Sequence, residues 1–544
     1  MADRVGPGAE SHGSSRWIRL ALVITVAVVS YAGVVPSRFV FDDQIAIVDN
    51  PVVRGTVPLH EVIERDWWGH RQALSAGLYR PLAVTWLRAE WVLGNGGPWL
   101  FHALSVFLHA GVMALLFMVL CELTTGPVAL AATLFCAVFA ASSEAVETAV
   151  GQADLLSAGA ILLGLAAHRR AGLTAAVTAA IALVVAVGTK ETGLLAVVAW
   201  GLLDWLLPPA TTWRERLGRY AGFAGVIGAY LVLRYRAIGT LRTPVYLDAL
   251  ANPLTMNGPV ERVLGAGRVF VTRYLAGLID PTRRLFQCSY RACVPSPPSD
   301  VVAWIGLALA GGLVALFFLL RRRAAIAAAG LGWFLLFFLP VSNLIVPATT
   351  SYGERLLYLP DIGLGLALAY AAAQVASRIP RPALVWGLFG TILFANAVAV
   401  QFRHADWRSG ESLARSGLAW APDSAPILSM YAVELGLRGD NAGAESYARQ
   451  AVALWDTYGY AHKALAISLD SLGRTDEAEQ EFRRAVEVLD QSDLHADYAV
   501  FLARHGRFDE AMKVVERRRT ADPDSARLVE LEALLRAALA KRPK

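Results

Sequence analysis

About eleven apolar stretches follow one another along this chain, and that repetition constrains the fold more than any single motif, since a bilayer span needs about 20 mostly apolar residues. They run over residues 17–35, 100–121, 127–141, 155–167, 173–187, 193–207, 220–233, 301–320, 324–339, 356–376 and 383–401. Of the 544 residues 56% are hydrophobic and 17% charged, which sets a soluble protein of this size aside. The expected fold is all-α: a polytopic transmembrane helical domain followed by a soluble α-helical region. The first run resembles a signal peptide but is long for one and lacks a convincing small-x-small cleavage site, so it reads as an uncleaved anchor.

The net charge is +5, carried almost wholly by arginines clustered between apolar runs. No basic stripe with interleaved aromatics is present, so nucleic acid is not an expected partner. Arg4, Arg16, "HRR" at 168–170, "WRERLGR" at 213–219, "RRR" at 321–323, Arg378 and Arg381 all fall in alternate gaps. The positive-inside rule puts those gaps in the cytoplasm. An odd number of spans then sends the C-terminal region outside, together with the loop holding Cys288 and Cys293, where an oxidising compartment favours a disulfide. Cys121 and Cys136 lie in apolar runs.

The opposite face collects the chemically unusual residues. It holds "FDD" (Phe41, Asp42, Asp43), "YRP" around Arg80, "SSEAVETAVGQADLL" with Glu144, Glu147 and Asp154, "KE" (Lys190, Glu191), "SN" (Ser342, Asn343) and "YGERLLYLP" with Glu354 and Arg355. Carboxylates and cations converging from distant segments are what an active site at one membrane face requires. Each group also has a plainer reading. Arg80 starts an amphipathic interfacial segment, "RPLAVTWLRAEWVL"; Lys190 and Glu191 form a local ion pair; the acids are loop residues; Arg355 and Glu354 anchor a span end. His102 and His109, seven residues apart, read as packing residues and not as metal ligands, because no third ligand appears at metal spacing.

After residue 401 the composition becomes soluble and a period emerges. Gly439, Gly473 and Gly506 recur, each followed at one offset by Ala444, Ala478 and Ala511. The period is tetratricopeptide-like, with small residues at Ala466, Ala478 and Ala485, bulky Phe482, and Pro523 where a helix stop belongs. A capping helix is expected over 525–539. The concave face of such an array binds an extended peptide or another protein; the plainer reading is a spacer. The domain division is a cytoplasmic tail over 1–16, a membrane domain over 17–403 with a first outer loop at 36–99, and periplasmic or lumenal repeats over 404–544.

The order "FVFDDQIAIVDNPVVRG", "YRPLAVTWLRAEWVLGNGGPWLFHALSVFLHA", "EAVETAVGQADLLSA", "KETGLL" and "FLPVSNLIVPATTSYGERLLYLPDIGL" ahead of repeats resembles the transmembrane and tetratricopeptide repeat family. Those proteins are similar to the GT-C class of membrane glycosyltransferases and are regarded as O-mannosyltransferases. The resemblance implies an inverting transferase with a polyprenyl-phosphate-linked sugar as donor, mannose first among candidates, and Ser or Thr hydroxyls of exported proteins as acceptors. It implies Asp42 or Asp43 as the base, the other orienting acceptor or sugar. Arg80, Lys190 and Arg355 are the candidates for the donor phosphate, and Glu144, Asp154, Glu191, Asn343 and Glu354 for orienting sugar or cations. A divalent metal bridging Asp43 and the phosphate is compatible with the class, although no dedicated ligand cluster is present.

One departure stands out: where the family often has His-Pro-x-His before Glu-Ala-Val, this chain reads "FAASSEAV", so only Glu144 carries over. Two rival readings are a transferase acting on a glycolipid or envelope polysaccharide, and a non-catalytic membrane-anchored scaffold. A transporter fits less well, for want of mid-span polar residues or internal duplication. Arginine- and alanine-rich composition, without a eukaryotic retention signal, points to a bacterial inner membrane.

Overall fold

The computed structural model describes residues 12–71, 77–209, 211–241, 252–256, 258–283, 286 and 293–540, and its regular structure is helical, with no strand among the described residues. Each apolar run has a helix: His12–Tyr31, Pro98–Leu123, Gly126–Val138, Gln152–His168, Leu173–Thr189, Ala196–Leu206, Trp213–Ile238, Val301–Leu320, Ala325–Phe338, Tyr358–Ala376 and Pro382–Trp407. Six segments among the described residues are long and apolar enough to cross a membrane: Ser15–Val34, Pro98–Leu123, Trp213–Ile238, Val301–Leu320, Glu354–Ala376 and Pro382–Trp407. The chain is an integral membrane protein.

The other apolar helices are shorter, as the short apolar runs at 127–141, 155–167, 173–187 and 324–339 lead one to expect. The remaining helices are short for a reason of packing. Gln152–His168 is buried on nearly every side, and Leu173–Thr189 and Ala325–Phe338 run into tight turns, Glu191–Leu195 and Leu339–Val341, that carry polar groups back into the protein. Helices Ala325–Phe338 and Tyr358–Ala376 cross where Gly330 meets Gly363. A β-carbon on either would collide with the backbone of the other helix, so small residues let these two approach as membrane helices do.

The bundle has two chemically distinct ends. At the arginine-rich end His168 Nε2 and the Tyr220 hydroxyl meet Asp204 Oδ2 at 2.9 and 3.0 Å, Arg169 donates to the Leu207 carbonyl at 2.9 Å, and Arg170 pairs with Glu122 at 2.8 Å. The aspartate loop and the other singled-out carboxylates and cations lie at the opposite end.

From Trp407 the last long helix passes, through a Ser409 cap, into Gly410–Trp420. Three helix pairs follow, Ala425–Leu437 with Asn441–Leu454, Gly459–Ser471 with Thr475–Val488, and Ser492–Arg504 with Phe508–Ala521, and then Ala526–Ala540. Gly439, Gly473 and Gly506 sit between the helices of each pair at φ of 85°, 78° and 76°. That left-handed conformation strains any residue with a β-carbon, so the spacing of these glycines is a turn spacing. Ala466, Ala478, Ala485 and Phe482 are buried between the helices.

Candidate active site

The residue that shapes the aspartate loop is Phe41. It holds a left-handed φ of 54°, a strained state costing about 1–3 kcal/mol that persists only where its surroundings over-determine it. Its ring packs edge-on against Phe286 at 5.4 Å, and its carbonyl accepts from the Gln44 amide at 3.2 Å. The reversal sends the two neighbouring carboxylates in different directions.

Asp43 turns inward and is fully buried. Its Oδ1 accepts from the Val150 amide at 2.9 Å and its Oδ2 from the Val40 amide at 3.3 Å, tying the loop to the turn ahead of helix Gln152–His168. Burial pushes its carboxyl up to about 7, with the two amides pulling the other way and Asp42 adding a little. The resemblance gives both aspartates a place at the substrate, one as base and the other orienting acceptor or sugar. Only Asp42 turns outward; Asp43 is the acceptor for backbone amides of two segments. Among the described residues no three His, Cys, Asp or Glu side chains are grouped to hold an ion.

Asp42 turns outward, its side chain 22% exposed, and accepts from Arg355 Nη2 at 2.6 Å. Arg355 is fixed from behind by Glu144, whose Oε2 accepts from the Arg355 backbone amide at 3.0 Å and whose Oε1 lies 3.4 Å from Nη1. Burial raises the Glu144 carboxyl, and Arg355 partly offsets this.

Lys190 and Glu191 do not form the local pair that adjacency suggests. Buried Lys190 bonds Asp154 across the bundle, while Arg80 Nε donates to Glu191 Oε2 at 2.9 Å and its guanidinium lies 5.1 Å from the Trp67 ring. Burial lowers the Lys190 ammonium against the pull of Asp154, and it also feels Arg80 and Arg355. Burial would raise Glu191, but Arg80, a backbone amide and Arg234 together outweigh it and hold the carboxyl below its ordinary value. Arg80, Lys190 and Arg355 thus converge, each with its own carboxylate: Glu191, Asp154, and Asp42 with Glu144.

Two of the sequence candidates are not brought into this cluster. Glu354, adjacent to Arg355, turns the other way and forms a buried ion pair with Arg403. Asn343, at a left-handed φ of 61°, organises its own loop: its Oδ1 accepts from the Ala348 amide and from Asn252 at 2.8 Å, and its Nδ2 donates to the Thr350 carbonyl at 3.2 Å. Of the histidines, His109 has Tyr358 at 2.8 Å and the Ala137 carbonyl at 3.3 Å, and His102 has the Arg38 carbonyl at 3.4 Å. Cys293 is disulfide-bonded, Cys121 and Cys136 carry free thiols, and Cys288 lies outside the described residues.

Sequence reading missed Arg403, His404 and Asp406. Arg403 also lies 3.5 Å from Asp406, and His404 Nδ1 meets Glu147 Oε1 at 2.6 Å. A histidine therefore does reach the segment that lacks the family's histidine motif, but from the last long helix. The available signal was "QFRHADW" at 401–407, an unusually charged end to an apolar helix.

No protein-family model matches the chain. Among curated proteins, human protein O-mannosyl-transferase TMTC4 is 28% identical over 500 residues, 79% of this chain and 65% of that protein. The chain is a homologue of the TMTC protein O-mannosyl-transferases. Human protein O-mannosyl-transferase TMTC3 is 24% identical over 562 residues, covering 96% of the chain and 60% of the relative. Protein O-mannosyl-transferase Tmtc3 of Drosophila melanogaster is 24% identical over 594 residues, covering 92% and 62%. This chain therefore spans less than two thirds of the length of each of these TMTC relatives. The fold gathers the segments that carry Asp42, Arg80, Glu144, Lys190 and Arg355 at one end of the bundle.

Proposed function

We propose that the protein is a GT-C-type membrane glycosyltransferase that moves mannose from a polyprenyl-phosphate donor onto Ser or Thr hydroxyls of exported proteins. It would do so in a bacterial inner membrane, with the repeats in the periplasm and helping to hold the acceptor. The observation that carries this reading is the partly open Asp42 carboxylate held against Arg355, with Lys190 and Arg80 beside them. Such an arrangement offers a base next to a cradle for a phosphate, which is what transfer from a lipid phosphate to a hydroxyl demands.

In this mechanism Asp42 takes the hydroxyl proton as the acceptor oxygen bonds to the anomeric carbon. The bond from that carbon to the phosphate breaks in the same displacement, so the centre inverts. Arg355, with its two-pronged guanidinium, and Lys190 and Arg80 take up the charge that develops on the departing phosphate. Asp43, Glu144, Asp154 and Glu191 act as positioning residues: the first holds the loop, the other three hold the cations.

A lipid donor is supported by an apolar cavity of about 250 Å³ lined by Gly267, Phe270, Tyr274, Gly306, Phe334 and Phe338. Tyr274 of its lining stands 5.0 Å from Tyr352, three residues before Arg355. The test is transfer by the purified full chain in lipid, with radiolabelled polyprenyl-phosphate mannose and a pool of periplasmic proteins, alongside Asp42→Asn. Label entering protein in the parent and lost in the variant is the expected result. Label entering glycolipid only would move the acceptor class, and no label in any product would favour a scaffold.

A further inference from the structure

The helical array is fastened at both ends to the same outer loop. At its start, buried Trp407 packs against Phe286 at 5.8 Å, Phe286 against Phe41, and the Arg38 amide donates to the Arg408 carbonyl at 3.2 Å. At its far end, Asp524 Oδ2 accepts from Arg65 at 2.8 Å and Arg71 at 2.9 Å, and Glu530 lies 3.8 Å from Arg54. Arg65 is almost wholly covered by these contacts, its side chain 1% exposed. Between the two fastenings Asp49, at the end of the turn Gln44–Val48, lies within electrostatic range of Arg527 and Asp493. Those two residues belong to a ladder across three helices, in which Lys463 approaches Asp493 at 3.8 Å and Asp497 at 3.0 Å, and Arg527 bonds Asp497.

We infer that the acceptor enters as an extended, unfolded stretch of polypeptide lying in the seam between the last repeat helices and the first outer loop. The inference rests on the transferase reading above and adds the physical state of its substrate. A closed loop with both ends tied admits a strand but not a domain. The seam opens into a cavity of about 470 Å³ lined by Arg54, Thr56, Val57, Asp524, Val529 and Glu530. That is roughly 8 Å across, room for one extended backbone, whose neighbours in a sheet lie about 5 Å away, whereas a folded 100-residue domain has a radius of gyration of about 13 Å. Its walls carry both charge signs, Arg54 and Arg519 against Asp524 and Glu530, a lining suited to the exposed amides and hydroxyls of a Ser- and Thr-bearing strand. From Asp49 back to Asp42 is seven residues, nearly two helical turns or about 10 Å, equal to about three residues of extended chain.

The test uses the full-length protein in lipid, with one disulfide-stabilised Ser/Thr-rich domain offered folded, or reduced and alkylated so that it stays unfolded. Transfer is read by label, and binding by a photo-crosslinking residue placed at Thr56 or Val529. The expected result is label and crosslink in the unfolded form, with the folded form at least about tenfold slower because only its rare unfolded population can enter. Equal labelling of both forms, or labelling without a crosslink at either seam position, overturns the inference. Crosslinking of the unfolded form without transfer from any lipid-linked sugar supports the seam and removes the transferase reading instead. No crosslink and no transfer overturns both.

Discussion

Arg355 reaches Asp42 through Nη2 at 2.6 Å while its own backbone amide donates to Glu144 at 3.0 Å, so one arginine fixes the position of the outward aspartate from two distant segments. The neighbouring aspartate has a different job, and the two are separable by substitution. Asp42→Asn is expected to lower transfer by about 10²–10⁴-fold with the thermal midpoint unchanged. Asp43→Ala leaves the Val150 and Val40 amides buried without acceptors, costing about 1–3 kcal/mol for each unsatisfied group. Thermal unfolding in detergent, run beside the transfer assay, distinguishes them; equal loss of stability in both variants would refute the division of roles.

Asp43 also predicts a pH dependence. Its carboxyl is raised from 3.8 to about 7 in the folded protein, so between those values the folded state holds a proton that the unfolded state has released. Its contribution to stability is fully present below about pH 4, declines as pH rises, and is lost above about 7. Asp43→Asn, which mimics the protonated form, should flatten that part of the profile. Denaturation midpoints measured from pH 4 to 8 in parent and variant check this, and parallel curves would contradict it.

Lys190 and Asp154 are 7% and 6% exposed. Removing one partner of a buried ion pair strands the other and costs about 3–5 kcal/mol. Lys190→Gln should therefore be strongly destabilised, and Lys190→Gln with Asp154→Asn should recover most of the stability. If Lys190 also serves the phosphate, the double variant stays inactive despite being folded. An active double variant would leave Lys190 a packing residue.

Arg403 joins the helix that leads into the array to Glu354, the residue beside Arg355. Arg403→Met is expected to cost about 3–5 kcal/mol by leaving Glu354 alone. Arg403→Met with Glu354→Leu should be folded, but with Arg355 less firmly held, so kcat falls more than KM changes. A double variant of parental kcat would show that the pair acts on stability alone.

Gly473 has φ of 78° and open space where a β-carbon would go. Gly473→Ala should therefore lose about 1–2 kcal/mol from backbone strain alone. Hydrogen exchange should show the loss within the array and leave the membrane helices protected as before; increased exchange throughout the bundle would count against a local effect.

The number and order of apolar helices, the alternation of arginine-rich and acidic ends, and the glycine spacing of the array were legible in the sequence, because each is a local property: hydropathy over a window, charge at a helix end, a turn that needs positive φ. Even the set of converging segments could be read once the helices were numbered. What local sequence cannot carry is partnership. Adjacent Lys190 and Glu191 look like a pair, yet each finds its partner across the bundle; adjacent Asp42 and Asp43 look equivalent, yet the left-handed Phe41 turns one toward Arg355 and seals the other against two amides. Helix ends shifted by a few residues for the same reason, Gln152–His168 and Pro98–Leu123 both running beyond their apolar stretches. Only the tertiary structure decided which carboxylate is open, which cation each acid holds, and that the array closes back on the first outer loop.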